Sequence, residues 1–257
     1  MTNKTILITG STSGIGLGIA KAYAAKGYNI AFNGLEDNGA QIAQQVADEF
    51  KIAHLFSPAN MLDPEAIRNM VAEAETRFGS IDVLINNAGI QHVAPIDEFP
   101  EDKWNAIIGI NLTAAFHTTK AVWGKMKEQQ FGRIINIASA HGLVASEFKS
   151  AYVASKHGII GLTKTLALEG APYGITANAI CPGYVHTPII DKQVADQMKA
   201  HNMSREDVIN KVMLDKQAIK EFIPVEAIAG AALYFSSAAA AQITGISFPI
   251  DGGWTAE

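Results

Sequence analysis

The chain has 257 residues, 48% of them hydrophobic and 18% charged, ample for one globular domain with a large core. Its net charge of −5 argues against nucleic acid as a partner, and no apolar run approaches the ~20 residues of a membrane span. One cysteine, Cys181, rules out an intrachain disulfide; with no signal-peptide pattern in the first residues, a soluble cytoplasmic protein is expected.

Residues 5–9 are apolar and β-branched, the pattern of a buried first strand. They pass directly into Gly10-Ser11-Thr12-Ser13-Gly14-Ile15-Gly16 and an alanine-rich helical stretch to residue 25. Glycines between strand and helix let the backbone turn tightly and approach a pyrophosphate, whose charge the helix N-terminus stabilises. Residues 29–33 read as the second strand. The acidic residue that would bind both hydroxyls of an adenosine ribose is missing at its end, where Gly34 stands before Leu35 and Glu36. Glu36 is either a substitute or a plain solvated carboxylate. No Arg or Lys lies in the glycine loop or between Gly34 and Gln41 to meet a 2′-phosphate, so charge favours NAD over NADP.

Residues 38–50 suit a helix, 54–57 a third strand, and 63–78 a helix with Pro64 in its first turn. Residues 81–85 form a fourth strand opening into Asn86-Asn87-Ala88-Gly89. The pattern from 100 to 127 is helical with Asn111 in its middle. Asparagine is mildly unfavourable there, so it marks a backbone distortion, a water site or a merely exposed side chain.

Residues 132–137 read as a fifth, buried strand. Ser139 follows its carboxyl end, where open α/β sheets place their ligands. Tyr152 and Lys156, four residues apart, share one helix face. A lysine ammonium beside a phenol favours phenolate; moving a tyrosine from about 10 to about 7 takes roughly 4 kcal/mol, for which a second cation such as an oxidised nicotinamide is a further source. The helix runs to about residue 169, and 175–180 form a sixth strand ending at Cys181-Pro182-Gly183. Residues 188–222 are a charged, weakly amphipathic insertion of two helices, a candidate lid. A helix over 225–235, a seventh strand over 246–250 and Asp251-Gly252-Gly253-Trp254 complete the chain. Strands alternating with helices predict one α/β domain over 1–257: a Rossmann-like doubly wound parallel sheet with helices on both faces.

Together these motifs resemble the short-chain dehydrogenase/reductase family over essentially the whole chain. The matching residues are Thr9-Gly10-x-x-x-Gly14-Ile15-Gly16, Asn86-Asn87-Ala88-Gly89, Asn111, Ser139, Tyr152-x-x-x-Lys156 and Pro182-Gly183. The resemblance implies Tyr152 as acid/base, with Lys156 lowering its pKa and binding the nicotinamide ribose. It implies Ser139 orienting the reacting oxygen and Asn111 holding a relay water. Gly10, Ser13, Ile15 and Gly16 would surround the cofactor phosphates, with Gly14 part of the same turn. Asn87, followed by Ala88 and Gly89, would lie along the cofactor, Val185 and Thr187 would contact the carboxamide, and Leu35 would face the adenosine. The acidic residue that often meets the adenine is replaced by Asn60, followed by Met61. The family also implies a homotetramer and no metal.

A narrower likeness is to the bacterial subfamily that oxidises (R)-3-hydroxybutyrate, which would make a small 3-hydroxy acid, or the matching 3-keto acid, the substrate. It rests on Gln91-His92, on the run from Ala138 to Ser146, on Lys149, on Lys192-Gln193 and on the closing Asp251-Gly252-Gly253-Trp254-Thr255. It implies a substrate carboxylate held by Gln91, His141, Lys149 and Gln193, with Tyr184 and Trp254 at the pocket wall; Tyr184 stands where that subfamily often carries Trp. Charge-assisted bonds of this kind are the strong ones. Two rivals stand beside this reading: a 3-oxoacyl thioester reductase of the same family and a non-catalytic NAD-sensing binding protein.

Overall fold

The computed structural model describes residues 3–187, 190, 194, 198 and 202–256. Strands β1 (Thr5–Ile8), β2 (Asn29–Asn33), β3 (His54–Ser57), β4 (Val83–Asn86), β5 (Gly132–Ile137), β6 (Ile175–Pro182) and β7 (Ser247–Ile250) form one sheet in the order β3-β2-β1-β4-β5-β6-β7. Every pairing is parallel, with Ile8 beside both Phe32 and Ile85, and Ile85 beside Ile135. The chain winds outward from β1 to β3 and then restarts on the other side at β4. That reversal opens a crevice at the carboxyl ends of β1 and β4.

The strands are apolar on both faces because helices cover both. Successive side chains alternate across the sheet. Ile6 and Ile8 pack with Ile19 and Tyr23 of α1 (Gly14–Ala24) and with Ile228 and Phe235 of the helix Val225–Ser236. Leu7 points the other way, onto Ile67 and Met70 of α3 (Pro64–Phe78) and Val122 and Met126 of α5 (Ala114–Glu128). α2 (Gly39–Phe50) lies beside α1, α4 (Glu101–Ile108) precedes α5, and α6 (Ser150–Gly170) lies against β6. The α3 start follows the sequence reading: Asp63 accepts from the Glu65 and Ala66 N–H groups at 2.8 and 3.2 Å, and Pro64 occupies the first turn.

Three boundaries differ from the expectation. The helix over 100–127 is interrupted by a π-helical turn, Gly109–Thr113, between α4 and α5. The fourth strand starts at Val83 instead of residue 81, and β6 runs on to Pro182. In the insertion over 188–222, Ile190, Val194 and Met198 are helical, and α7 (Arg205–Val208) leads into a second π-turn, Ile209–Met213. Ile190, Val194, Val208 and Met213 form a small core of their own, with Tyr184 and Phe222 packed against it. Gln193, an expected carboxylate ligand, lies outside the described residues. The last helix, Val225–Ser236, is α8. Among the described residues no helix is long and apolar enough to cross a membrane.

Candidate active site

The glycine-rich turn sits at the crevice and is held by polar side chains from the strand ends. Asn33 accepts the Gly10 N–H at 3.2 Å and donates to the Ser57 and Ala59 carbonyls at 3.1 and 2.9 Å. The Thr9 hydroxyl accepts from both the Asn87 and Ala88 N–H groups at 3.0 Å. The Asn87 amide donates to the Thr9 and Gly10 carbonyls, each at 2.9 Å, so it braces the turn from below. Gly10 and Gly14 take φ values of +62° and +51°, in the left-handed region that favours glycine. A Cβ on Gly16 would overlap the Gly10 carbonyl oxygen and come within 2.6 Å of the Asn87 amide. This is a surface where backbone N–H groups at a helix start are open to a close-lying anion, which is what a dinucleotide pyrophosphate requires. Gly14 lies close to Thr187: a Cβ there would be 3.6 Å from the threonine methyl.

The residues expected at the adenosine end lie past β2 and β3. The Met61 side chain is buried in the core beside Leu7 and Met70, because it follows the turn of which Asn60 is the exposed member. The Asn60 side-chain Oδ1 accepts the Leu62 N–H at 2.9 Å, leaving its side-chain N–H groups for a ligand. Leu35 stands exposed just past β2. Glu36 folds back on the glycine turn, its carboxylate accepting from the Thr12 hydroxyl and, at 3.0 Å, from Ser13. Burial alone would raise its pKa, but these bonds, with backbone N–H bonds from Glu36 and Leu35, hold it below the usual carboxylate value.

The ends of β5 and α6 carry Ser139, Tyr152 and Lys156, the expected catalytic groups. Ser139 follows β5 in extended backbone, and its hydroxyl accepts the His141 N–H at 3.1 Å. Tyr152 lies in the first turn of α6 and Lys156 one turn on, its ammonium 5.5 Å from the Tyr152 ring centroid. The ammonium donates to the Ile137 carbonyl at 2.8 Å, tying α6 to the end of β5. A Cβ on Gly89 would stand 3.4 Å from the Asn111 oxygen and 3.7 Å from the Lys156 nitrogen, so these three residues meet in one spot. The Asn111 oxygen accepts the Ile90 N–H at 2.9 Å; its amide donates to the Ile90 carbonyl at 2.9 Å and the Ser155 hydroxyl at 3.2 Å. The π-turn is what brings Asn111 inward, away from the exposed position that one reading of the sequence left open. Beside it lies a cavity of about 10 Å³, lined by Thr9, Asn86, Asn111 and Thr118 among others, which is room for about one water.

The electrostatics of the chain itself set the starting state of the phenol. In the chain itself the Tyr152 phenol is held above its ordinary value: burial raises it, the Ser139 hydroxyl lowers it, and Tyr184 raises it again. Lys156 is lowered to about 8 by burial, with Cys181 acting weakly the other way. The lysine points past the ring toward a backbone carbonyl, so desolvation of the phenolate outweighs its charge.

Beyond Ser139, the rings of His141, Tyr152, Tyr184 and Trp254 form an aromatic wall. Tyr184 stacks on Trp254 at 5.7 Å and 5°, and His141 meets Trp254 and Tyr152 edge-on at 4.9 and 5.9 Å. The His141 Nε2 is 2.8 Å from the Ser146 hydroxyl. Burial, then Lys149, Lys216 and His157, lower its pKa to about 4, so it is neutral at pH 7. In the unfolded chain it titrates near 6.5, so the unfolded state binds the extra proton as pH falls from 6.5 to 4 and native stability drops across that window. His141→Gln flattens this part of the pH–stability curve in chemical denaturation; an unchanged slope means that another group sets it. Lys149 is half-buried, and burial and Lys216 push its pKa down. Its ammonium makes no hydrogen bond or ion pair with the described residues. The Phe148 carbonyl accepts the Ala94 N–H at 3.0 Å, joining the loop that bears Lys149 to the one that bears exposed Gln91. Pro182 ends β6 and Gly183 follows it, and buried Val185 bridges to Ile223.

Sequence reasoning missed Asn33, Ser155 and Gln217, and gave no role to Thr9, which it had placed in the glycine motif. The first had a signal, a polar residue ending an apolar strand. Gln217, whose Oε1 accepts the Tyr184 N–H at 3.1 Å, had none.

A dinucleotide cradle at the switch point, facing a buried Tyr–Lys pair and a serine past the neighbouring strand, defines a nicotinamide-type oxidoreductase site. The chain belongs to the short chain dehydrogenase family, whose model matches residues 4–198. It is 52% identical over 256 residues to a D-beta-hydroxybutyrate dehydrogenase of Rhizobium meliloti, covering 99% of each chain. It is 49% identical over 257 residues to the protein of the same name from Cupriavidus necator, covering 100% of each. Among solved structures, a substituted actinorhodin polyketide ketoreductase with NADPH superposes with a TM-score of 0.92 at 31% identity, covering 99% of this chain and 98% of the other.

Proposed function

We propose that this chain is an NAD-dependent (R)-3-hydroxybutyrate dehydrogenase that interconverts (R)-3-hydroxybutyrate and acetoacetate. The observation that carries the substrate is Lys149: a half-buried ammonium without a partner among the described residues, beside neutral His141 and the aromatic wall over Tyr152. A buried cation without a counter-ion favours an anionic ligand, and a small hydroxy acid supplies a carboxylate at the right end. The two D-beta-hydroxybutyrate dehydrogenases support the same choice.

In this reading the glycine turn, with Gly10, Gly14 and Gly16, and Lys156 would hold NAD, which would supply the hydride acceptor for C3 of the acid. Ser139 hydrogen-bonds the reacting oxygen, and Tyr152 removes the hydroxyl proton or, in reverse, returns one to the ketone. Lys156 and Asn111 hold the relay behind the phenol. Lys149→Ala raises the KM for the acid by about tenfold or more and changes kcat far less. An unchanged KM takes Lys149 out of the site.

Glu36 supports NAD over NADP. Its ionised carboxylate is fixed on Thr12 and Ser13, where it would oppose a 2′-phosphate. Glu36→Gln improves kcat/KM with NADP by about tenfold relative to NAD. A ratio that does not move assigns the preference elsewhere. The proposal extends to a cytoplasmic homotetramer, for which exposed Phe116, Leu168, Tyr234 and Phe248 offer apolar surface.

A further inference from the structure

We infer that Lys216 is the outer cation of the acid pocket, a specificity-determining residue that draws anionic substrates toward Lys149 and favours them over neutral molecules of the same size. The inference rests on the acid-pocket reading above and adds a residue to it.

The turn that carries Lys216 is fixed against the pocket. Gln217 next to it is 1% exposed, and its amide donates to the Ile219 and Glu221 carbonyls at 3.3 and 3.2 Å while its oxygen holds the Tyr184 N–H. The Ile219 N–H donates to the Gly252 carbonyl at 2.9 Å. Glycines let these segments close up: a Cβ on Gly183 or Gly252 would stand 2.7 or 2.9 Å from the Gln217 amide, and one on Gly253 would stand 3.1 Å from the Ala218 methyl. The turn that carries residue 216 is thereby held against the segments that bear Tyr184 and Trp254, whose rings stack on each other and of which Trp254 meets His141.

The two lysines of this turn differ. Lys220 donates to the Leu214 and Asp215 carbonyls at 2.8 and 2.6 Å, which closes the turn. Lys216 is exposed and makes no hydrogen bond or ion pair with the described residues. Its field reaches inward, since its charge contributes to lowering both Lys149 and His141. One pocket therefore has an inner and an outer ammonium that repel each other, an arrangement an incoming anion relieves. A charge at the rim acts mainly on capture and on its salt dependence, while a desolvated inner charge holds the bound state.

The test is kcat/KM for (R)-3-hydroxybutyrate and for its uncharged methyl ester across a series of ionic strengths, with parent, Lys216→Gln and Lys216→Arg. Lys216→Gln is expected to lose about threefold to tenfold in kcat/KM on the acid at low salt, keep its kcat, and show a flatter salt dependence. Lys216→Arg restores the parent behaviour, and the ester is unaffected throughout. A Lys216→Gln enzyme with parent values on the acid overturns the inference, as does an equal loss on acid and ester, which would mark a structural role. A parent enzyme inert toward the acid overturns the acid-pocket reading itself, and the inference with it.

Discussion

Tyr152→Phe lowers turnover of (R)-3-hydroxybutyrate by about a thousandfold or more while NADH binds as before. The substitution removes one oxygen and nothing else. Its ring still meets His141 edge-on, as Tyr152 does at 5.9 Å, and Lys156 keeps its 2.8 Å bond to Ile137. Initial rates and a fluorescence titration with NADH separate the two effects. Undiminished turnover means that another group moves the proton. The parent enzyme carries a matching pH signature. Because burial holds the phenol above its ordinary value in the chain, Tyr152 is a ready acid at neutral pH, and acetoacetate reduction falls as pH rises through its titration. Oxidation needs the phenolate and rises with pH.

Gly16→Ala has the second large effect, and it acts on the cradle. The new methyl overlaps the Gly10 carbonyl oxygen, which is backbone and cannot swing aside, and lies 2.6 Å from the Asn87 amide that braces the same turn. Either α1 shifts from the sheet or the turn opens. Overpacking of this kind costs about 1–3 kcal/mol of stability. The N–H groups facing the pyrophosphate move with the turn, so cofactor affinity falls by more than about tenfold. A thermal melt and an NADH titration read the two losses, and a variant that binds NADH like the parent contradicts this account of the turn.

Much of this fold is legible because parallel strands buried on both faces are continuous apolar runs. Residues such as Ile6, Leu7 and Ile8 declare a strand without any help from distant contacts. The alternation with helices then leaves few topologies, and the glycine-rich turn after β1 marks the crevice. The site is less legible. The roles of Tyr152, Lys156 and Ser139 came from spacing and from family resemblance, and the fold brings them to one sheet edge. The π-turn at Gly109–Thr113 is invisible to a helical periodicity, because one extra residue in the turn leaves the apolar pattern almost unchanged. The height of the Tyr152 pKa depends on burial and on where the lysine points, and no spacing rule contains either. Gln217, the neighbour of Lys216, holds the N–H of Tyr184, 33 residues away in the chain. Contacts of that range follow only from the packed structure.

Initial-rate NADH formation from (R)- and (S)-3-hydroxybutyrate, each with NAD and with NADP, tests the central claim most directly. The account predicts strong turnover of the R acid with NAD and little with the other three pairs. Silence toward both acids, together with NADPH-dependent reduction of a 3-oxoacyl thioester, would contradict it and leave a different member of the same family.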